Sequence, residues 1–288
     1  MDPWATLGAV DPRKLTDARL QLHWAAQAAS AAGKQLLEHR PDYGEQSFRW
    51  SERSQALVQG LVEGLFEEKR PFRPALRPAR PALLLLGADG EILSELLLDG
   101  HTLDEAYNWL SEEIEGLLGR PLERTLERPG DLPAHPVGMG APFSTNADGA
   151  AFVEIGRYFS NLDRALRRIE DRNPGASPVR CWPHHFDLAT LIVLDPKASA
   201  EEARSIGVGL SPGDPGIPEP YLYVLPWPAS VGKDLPELAG GGRWQTEGWT
   251  GGVLEATRFT STGTNGAQGQ QVEAFLDSAV AACHRLLG

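Results

Sequence analysis

Apolar residues recur at helical spacing in four long stretches of the chain. The stretches are residues 17–39, 103–118, 150–171 and 272–287. In each stretch apolar side chains return every three or four positions, which places them on one face of a helix. Thr102 and Glu105 also form the sequence signature of a capping box at the start of the second stretch. The pattern therefore predicts four principal helices.

Short stretches with the composition of strands lie between the predicted helices. Two leucine-rich runs, 83–86 and 92–98, flank the turn residues 88–90 and predict a β-hairpin. Residues 179–194 form the most strand-like stretch, and residues 221–227 predict another strand. Because helices alternate with clusters of strands joined by turn residues, we expect antiparallel sheet rather than regular βαβ units.

Two further segments are expected to contain no helix. Four Arg-Pro steps lie between residues 70 and 81. Proline favours extended backbone in its predecessor, so this segment predicts an extended connector or an edge strand. Residues 260–270 are rich in Gly, Thr and Gln, which predicts a flexible loop before the last helix.

The order of the predicted elements repeats along the chain. The shift that carries position 17 onto position 149 places helix 17–39 on 149–171, where the pattern independently predicts a helix. The same shift places Trp50 on Trp182, and both halves then run through strands to a closing helix. We expect an α+β fold of two pseudo-duplicated helix–strands–helix halves with mostly antiparallel sheet. The predicted boundaries are an N-terminal half 1–122, a Pro/Gly-rich connector 123–149, and a C-terminal half 150–288 that carries the predicted site.

Composition and charge narrow the classes of function. The 39 acidic and 27 basic side chains give a formal net charge of −12, a poor match to nucleic acid or anionic lipid, both of which require basic surface. No stretch approaches the roughly 20 apolar residues of a membrane span, and we expect no signal peptide. Two cysteines in 288 residues exclude a disulfide framework and fit a reducing compartment. We therefore expect a cytoplasmic protein with no nucleic-acid or membrane partner.

Several short motifs carry a resemblance to known sequences. Residues 178–190 read PVRCWPHHFDLAT, followed by GLSPGD at 209–214 and EPYLY at 219–223. With LHW at 22–24 and EGWTG at 247–251, these motifs resemble an uncharacterised bacterial family of unknown function over nearly the whole chain. The chain is also similar, more distantly, to a broader domain-of-unknown-function family with a Trp…Phe-Asp-Leu-Ala strand. The resemblance implies no activity, cofactor or catalytic residue.

The run of His184, His185, Phe186 and Asp187 is the strongest local chemical signal. On one continuous strand alternate side chains share a face, so His185 and Asp187 are expected to point the same way. A bulge at Pro183 would break this alternation, and His184 would then take the place of His185. Such a pair can supply two ligands to a divalent metal, or hold a histidine in one tautomer for general-base catalysis. The alternative is a buried histidine that bonds to backbone and serves only the fold.

Further candidate ligand-binding residues follow in the C-terminal half. Carboxylates flank predicted strands and aromatic side chains cluster late in the chain, a combination typical of a small-molecule pocket, while aromatics also favour the core of a sheet. The candidates are His184, Glu219, Tyr221, Tyr223, Glu247 and Trp249.

Two hypotheses of function follow from these residues. The first is a small-ligand-binding protein with a cleft in the C-terminal half. If the protein is an enzyme, metal-dependent hydrolysis through His185 and Asp187 is the least demanding chemistry. The second is a non-catalytic binding or assembly module in which the His-His-Phe-Asp run is structural.

Overall fold

The computed structural model describes residues 4–63, 70–199, 202–229 and 234–288 and shows an α+β fold. Within these residues the α-helices are α1 (Thr16–Leu36), α2 (Leu103–Leu118), α3 (Gly149–Arg172), α4 (Ala256–Thr260) and α5 (Asn265–Leu287). The four helices predicted from apolar spacing are confirmed as α1, α2, α3 and α5. None of the described helices is both long enough and apolar enough to cross a membrane.

The strands form two antiparallel sheets. The first sheet contains β1 (Arg49–Ser51), β2 (Ala56–Val58), β3 (Phe72–Arg77), β4 (Ala82–Gly87) and β5 (Ile92–Leu97), in sequential order. The second contains β6 (Arg180–Trp182), β7 (Asp187–Val193), β8 (Ser205–Ser211), β9 (Tyr221–Trp227), β10 (Arg243–Gln245) and β11 (Gly251–Glu255), in the order β10-β11-β9-β8-β7-β6. The predicted hairpin is confirmed as β4–β5, and β9 coincides with the predicted strand 221–227.

The capping box predicted at the start of α2 is present in the structure. The Thr102 hydroxyl accepts a bond from the Glu105 amide at 3.2 Å, and the Glu105 carboxylate accepts one from the Thr102 amide at 2.7 Å. This capping box fixes the start of α2.

Every residue of β4 is buried. Leu84 and Leu86 of this strand form a buried cluster with Ala75 of β3 and Ala56 of β2, so β4 contributes the large side chains of the first sheet's core.

The predicted strand 179–194 is wrong as one continuous strand. It divides into β6 and β7, separated by a turn at residues 183–186, which we call the motif turn. Pro183 cannot donate a ladder hydrogen bond, and Phe186 has a left-handed backbone with φ of 56°. Because His185 lies in this turn and Asp187 begins β7, the two side chains do not share the face of one strand.

Two other segments differ from their predicted conformation. The Arg-Pro segment is extended only over β3, because residues 78–81 form the turn that leads into β4. β3 pairs with both β2 and β4 and is therefore an inner strand. The predicted loop 260–270 is partly helical, since α5 begins at Asn265. Thr264 caps this start, since its hydroxyl accepts a bond from the Ala267 amide at 3.3 Å. The Gln268 side chain adds two bonds to the backbone of Leu7, both at 2.9 Å. This tertiary pairing outweighs the weak helix propensity of the glycines nearby.

The chain forms two compact units, each assembled from separate segments. The N-terminal unit contains Asp17–Gly156 and Cys181–Phe186. The C-terminal unit contains Met1–Thr16, Arg157–Arg180 and Asp187–Gly288. The halves predicted from the sequence, by contrast, are continuous and stay a prediction.

The starts of the elements recur along the chain. Long helices begin at Thr16 and again at Gly149. The strands that follow begin at Arg49, Ala56 and Phe72 in the first half, and at Arg180, Asp187 and Ser205 in the second. The separation along the chain is nearly the same for all four pairs of starts, and it lies close to the shift that carries position 17 onto position 149. The internal duplication remains a proposal, which this recurrence supports.

Candidate functional site

Residues of β6 and the motif turn are held within the N-terminal unit by backbone hydrogen bonds. Cys181 exchanges two of them with Phe48, at 2.8 and 2.9 Å, as an antiparallel bridge. Beyond β6, the carbonyl of Pro183 accepts bonds from two side chains of α1, Gln27 at 2.7 Å and His23 at 2.8 Å. The motif turn is therefore held by the bridge between Cys181 and Phe48 on one side and by α1 on the other.

His23 is a buried histidine of α1 with a structural role. Its ring stacks on the buried ring of Phe186, with centroids 5.6 Å apart and planes inclined by 11°. Burial lowers the pKa of His23 to about 4, an effect that its hydrogen bond to Pro183 partly opposes. The imidazole is therefore neutral at pH 7, and because a carbonyl can only accept, the Nε2 atom carries the hydrogen.

A cleft of about 380 Å³ lies in the N-terminal unit beside the motif turn. We call it the motif cleft. Its walls come from β6 and the motif turn, the loop 42–46, the proline-rich segment 129–132 and one residue of α1. The lining residues are Gln27, Asp42, Tyr43, Gln46, Pro129, Asp131, Leu132, Trp182, Pro183 and His184.

The loop 42–46 presents an aspartate and a tyrosine to the cleft. The Asp42 carboxylate accepts bonds from the Gly44 amide at 3.0 Å and from the Arg40 guanidinium at 3.3 Å, which orients the carboxylate within a tight turn. Tyr43 adopts the left-handed conformation with φ of 53°, and its side chain is 60% exposed.

Glu45 anchors this loop from below the surface. Its buried carboxylate accepts bonds from the His39 ring and from the Arg40 amide, both at 3.1 Å. Burial by itself would raise the pKa of Glu45, but these hydrogen bonds outweigh burial and hold the pKa below its usual value. An ionised Glu45 therefore stabilises the loop that carries Asp42 and Tyr43.

The proline-rich wall is tied to α1 by two side chains. The Trp24 indole donates to the Pro133 carbonyl at 3.1 Å. His135 is buried and accepts a bond from the Val137 amide through Nδ1, so its Nε2 donates to Asp17 of α1 at 3.1 Å. These contacts fix the segment that carries Asp131.

The motif itself contributes an aromatic edge to the cleft. Trp182 is half-buried, and its ring meets His184 edge-on with centroids 6.3 Å apart. His184 and His185 are both exposed, and their rings lie 4.4 Å apart. His184 lines the cleft, whereas His185 does not. Ligand binding by His184 stays a prediction, and its position in the cleft supports it.

Three predicted site residues come together in the C-terminal unit. The Tyr223 hydroxyl donates to Asp187, and the Tyr221 hydroxyl donates to Asp214. The two tyrosine rings are 6.3 Å apart on β9. Burial raises the pKa of Tyr221, and its bond to Asp214 raises it further. The Tyr221 hydroxyl is therefore a neutral donor at pH 7.

Three other predicted residues do not join this cluster. Glu219 is buried and accepts bonds from the amide of Thr257 at 2.7 Å and from its hydroxyl at 3.1 Å, which stabilises the first turn of α4. Glu247 is exposed in the turn before β11, and Trp249 is exposed beside Gly251. These geometries leave the proposed ligand-binding roles of Glu219, Glu247 and Trp249 as predictions.

A metal-binding role for His185 and Asp187 finds no ligand set. Among residues 4–63, 70–199, 202–229 and 234–288, no three His, Cys, Asp or Glu side chains lie close enough together to hold an ion. The metal-dependent hydrolase stays a prediction from the sequence.

Some residues of the motif cleft carry no sequence signal. Asp42, Tyr43 and Asp131 lie far from the motif along the chain and belong to no recognisable pattern. The turn residues around Gly44 are the only local sign of an ordered loop there. Comparison with known proteins adds no candidates, because no family model, curated protein or solved structure matches this chain.

Proposed function

We propose that this protein binds a small molecule in the motif cleft. The observation that carries the proposal is the composition of one cavity of about 380 Å³, which combines Trp182 and Tyr43 with the polar side chains of Asp42, Asp131 and His184. Small-molecule sites typically occupy about 300–1,000 Å³ and combine apolar or aromatic walls with a few polar groups. The cleft falls within this size range and has this composition.

The fixed position of the walls also supports binding. Pro183 is bonded by two side chains of α1, and Glu45 holds the loop 42–46 from within. Walls that are already ordered lose little conformational freedom when a ligand arrives, so more of the contact energy appears as affinity.

A thermal-shift screen of the full chain against a broad panel of metabolites tests this proposal. A ligand that binds only the folded state raises the Tm by mass action. The dissociation constant of each hit is then measured for the wild-type protein and for Trp182→Ala. His184→Ala and His185→Ala form a matched pair, because only the first of these neighbouring exposed histidines lines the cleft.

We expect Trp182→Ala and His184→Ala to weaken binding while His185→Ala leaves it unchanged. Circular dichroism of each variant checks that the fold is retained. Hits that bind all four proteins equally would place the ligand elsewhere. A panel without a hit would favour the non-catalytic assembly module.

A further inference from the structure

We propose that the ligand of the motif cleft carries a positively charged nitrogen, an ammonium or guanidinium group, beside a flat apolar part. This inference rests on the proposed function, because it names the chemical class that the same cleft accepts.

The charges along the walls favour a cation. Asp42 and Asp131 line the cleft from two separate segments, and none of its lining residues, all of which belong to the described chain, is Lys or Arg. The chain as a whole carries a formal charge of −12. A concave site lined by one sign of charge attracts ligands of the opposite sign.

The neighbouring arginine does not cancel this preference. Arg40 contacts Asp42 at 3.3 Å, but the two side chains are 57% and 53% exposed. An exposed ion pair of this kind contributes little free energy because water screens both charges. Asp131 stands on a different wall and is exposed as well.

The aromatic walls point to the same class. Trp182 and Tyr43 line the cleft with the two carboxylates. The face of an aromatic ring carries partial negative charge, and tryptophan attracts cations most strongly. An anionic ligand would meet like charge from the aspartates, while a neutral ligand would gain no attraction from them.

Three probes with the same ring separate these possibilities. Benzylamine is a cation at pH 7, benzyl alcohol is neutral and benzoate is an anion. Their dissociation constants are measured by ligand-observed NMR for the wild-type protein and for Asp131→Asn, Asp42→Asn and Trp182→Ala. Asp89→Asn is the control, because it makes the same change of net charge in the exposed turn of the β4–β5 hairpin.

We expect benzylamine to bind most tightly and to weaken about tenfold in Asp131→Asn, the size of a lost charge-assisted hydrogen bond. Asp42→Asn should also weaken the binding of benzylamine, and Asp89→Asn should leave it unchanged. Benzyl alcohol should bind the wild-type protein and the aspartate variants equally. Raising the salt concentration should weaken benzylamine alone, since screening acts on the charge.

The outcomes distinguish this inference from the proposed function. Suppose that Trp182→Ala weakens the binding of all three probes, but that the probes bind equally or benzoate binds best. The preference for a cationic ligand is then contradicted, while the cleft stands as a binding site. If no probe binds but the metabolite panel yields neutral or anionic hits that depend on Trp182, the same conclusion holds. If neither set gives a hit that depends on Trp182, the cleft itself fails as a binding site.

Discussion

At the scale of single residues, His23 links the stability of the fold to pH. Its pKa is about 4 in the folded protein and about 6.5 in an unfolded chain. Since the unfolded state binds the proton more readily, the stability that neutral His23 supplies is complete above about pH 6.5 and is lost as the pH falls to about 4. Between about pH 7 and pH 4 we expect the free energy of unfolding to fall roughly 3 kcal/mol further in the wild-type protein than in His23→Gln.

Urea unfolding of both proteins at the two pH values measures this difference. The carboxylates and the other histidines that titrate in this range affect both proteins alike. The difference between the two proteins therefore reports on His23. Equal losses in the two proteins would show that His23 is accessible to protons in the folded state.

Gly209 makes room for a tyrosine on the neighbouring strand. A Cβ atom built on Gly209 would lie 2.4 Å from the ring and hydroxyl of Tyr223, which it faces across β8 and β9. We expect Gly209→Ala to lower the free energy of unfolding by about 1–3 kcal/mol, the usual effect of overpacking. Gly207→Ala is the matched control, because a Cβ on Gly207 would meet only Leu225 at 3.8 Å.

Chemical denaturation of the two variants decides this point. Gly207 and Gly209 lie on the same strand and the same face, so intrinsic strand propensity changes equally in both. A similar stability in the two variants would mean that Tyr223 and the Leu188 carbonyl, which would lie 2.8 Å from the same Cβ, can both move away.

Individual site residues are predictable only where their signal is local. His184 is the one lining residue of the motif cleft that the sequence proposes as a ligand-binding residue, and it belongs to a short local motif. Trp182 lies in the same motif but is not among the candidates. Tyr223 and Asp187 are both candidates, but their hydrogen bond spans β8 and depends on how β7 and β9 are each aligned with β8. Register follows from the pairing of whole strands, so a sequence pattern does not reveal it.

At the scale of elements, the capping box at α2 is a separable source of stability. Thr102→Ala removes the hydroxyl that accepts a hydrogen bond from the Glu105 amide. We expect this change to lower the free energy of unfolding by about 1 kcal/mol. Thr102→Ser keeps the hydroxyl and should retain most of the stability. Guanidinium titrations of the three proteins measure both differences, and a Thr102→Ala variant as stable as the wild type would contradict the assigned role.

Whether the start and end of an element can be predicted depends on whether local residues or contacts remote in sequence set them. The start and end of α2 match the prediction because its capping box and terminal glycine are local signals. The early start of α5 combines a local cap at Thr264 with the pairing of Gln268 and Leu7, which is remote in sequence. The break at residues 183–186 combines a local signal, Pro183, with contacts to α1, because the His23 and Gln27 side chains donate to the Pro183 carbonyl.

At the scale of the whole molecule, the proposed duplication makes a geometric prediction. In a crystal structure of the full chain, we expect α1, β1, β2 and β3 to superpose on α3, β6, β7 and β8 in the same order. Trp50 should then fall on or beside Trp182, as the shift along the sequence requires. A superposition that requires the strands in a different order would contradict a shared origin of the two halves.

The division of the chain into units also sets the timing of folding during synthesis. The N-terminal unit includes Cys181–Phe186, so it remains incomplete after Gly156 has been made, until the ribosome reaches Phe186. At typical rates of translation this delay lasts about 2 to 6 seconds. Throughout that interval the surface of α1 that stacks on Phe186 is uncovered. A chaperone that recognises apolar surface on a growing chain therefore has a defined period in which to bind.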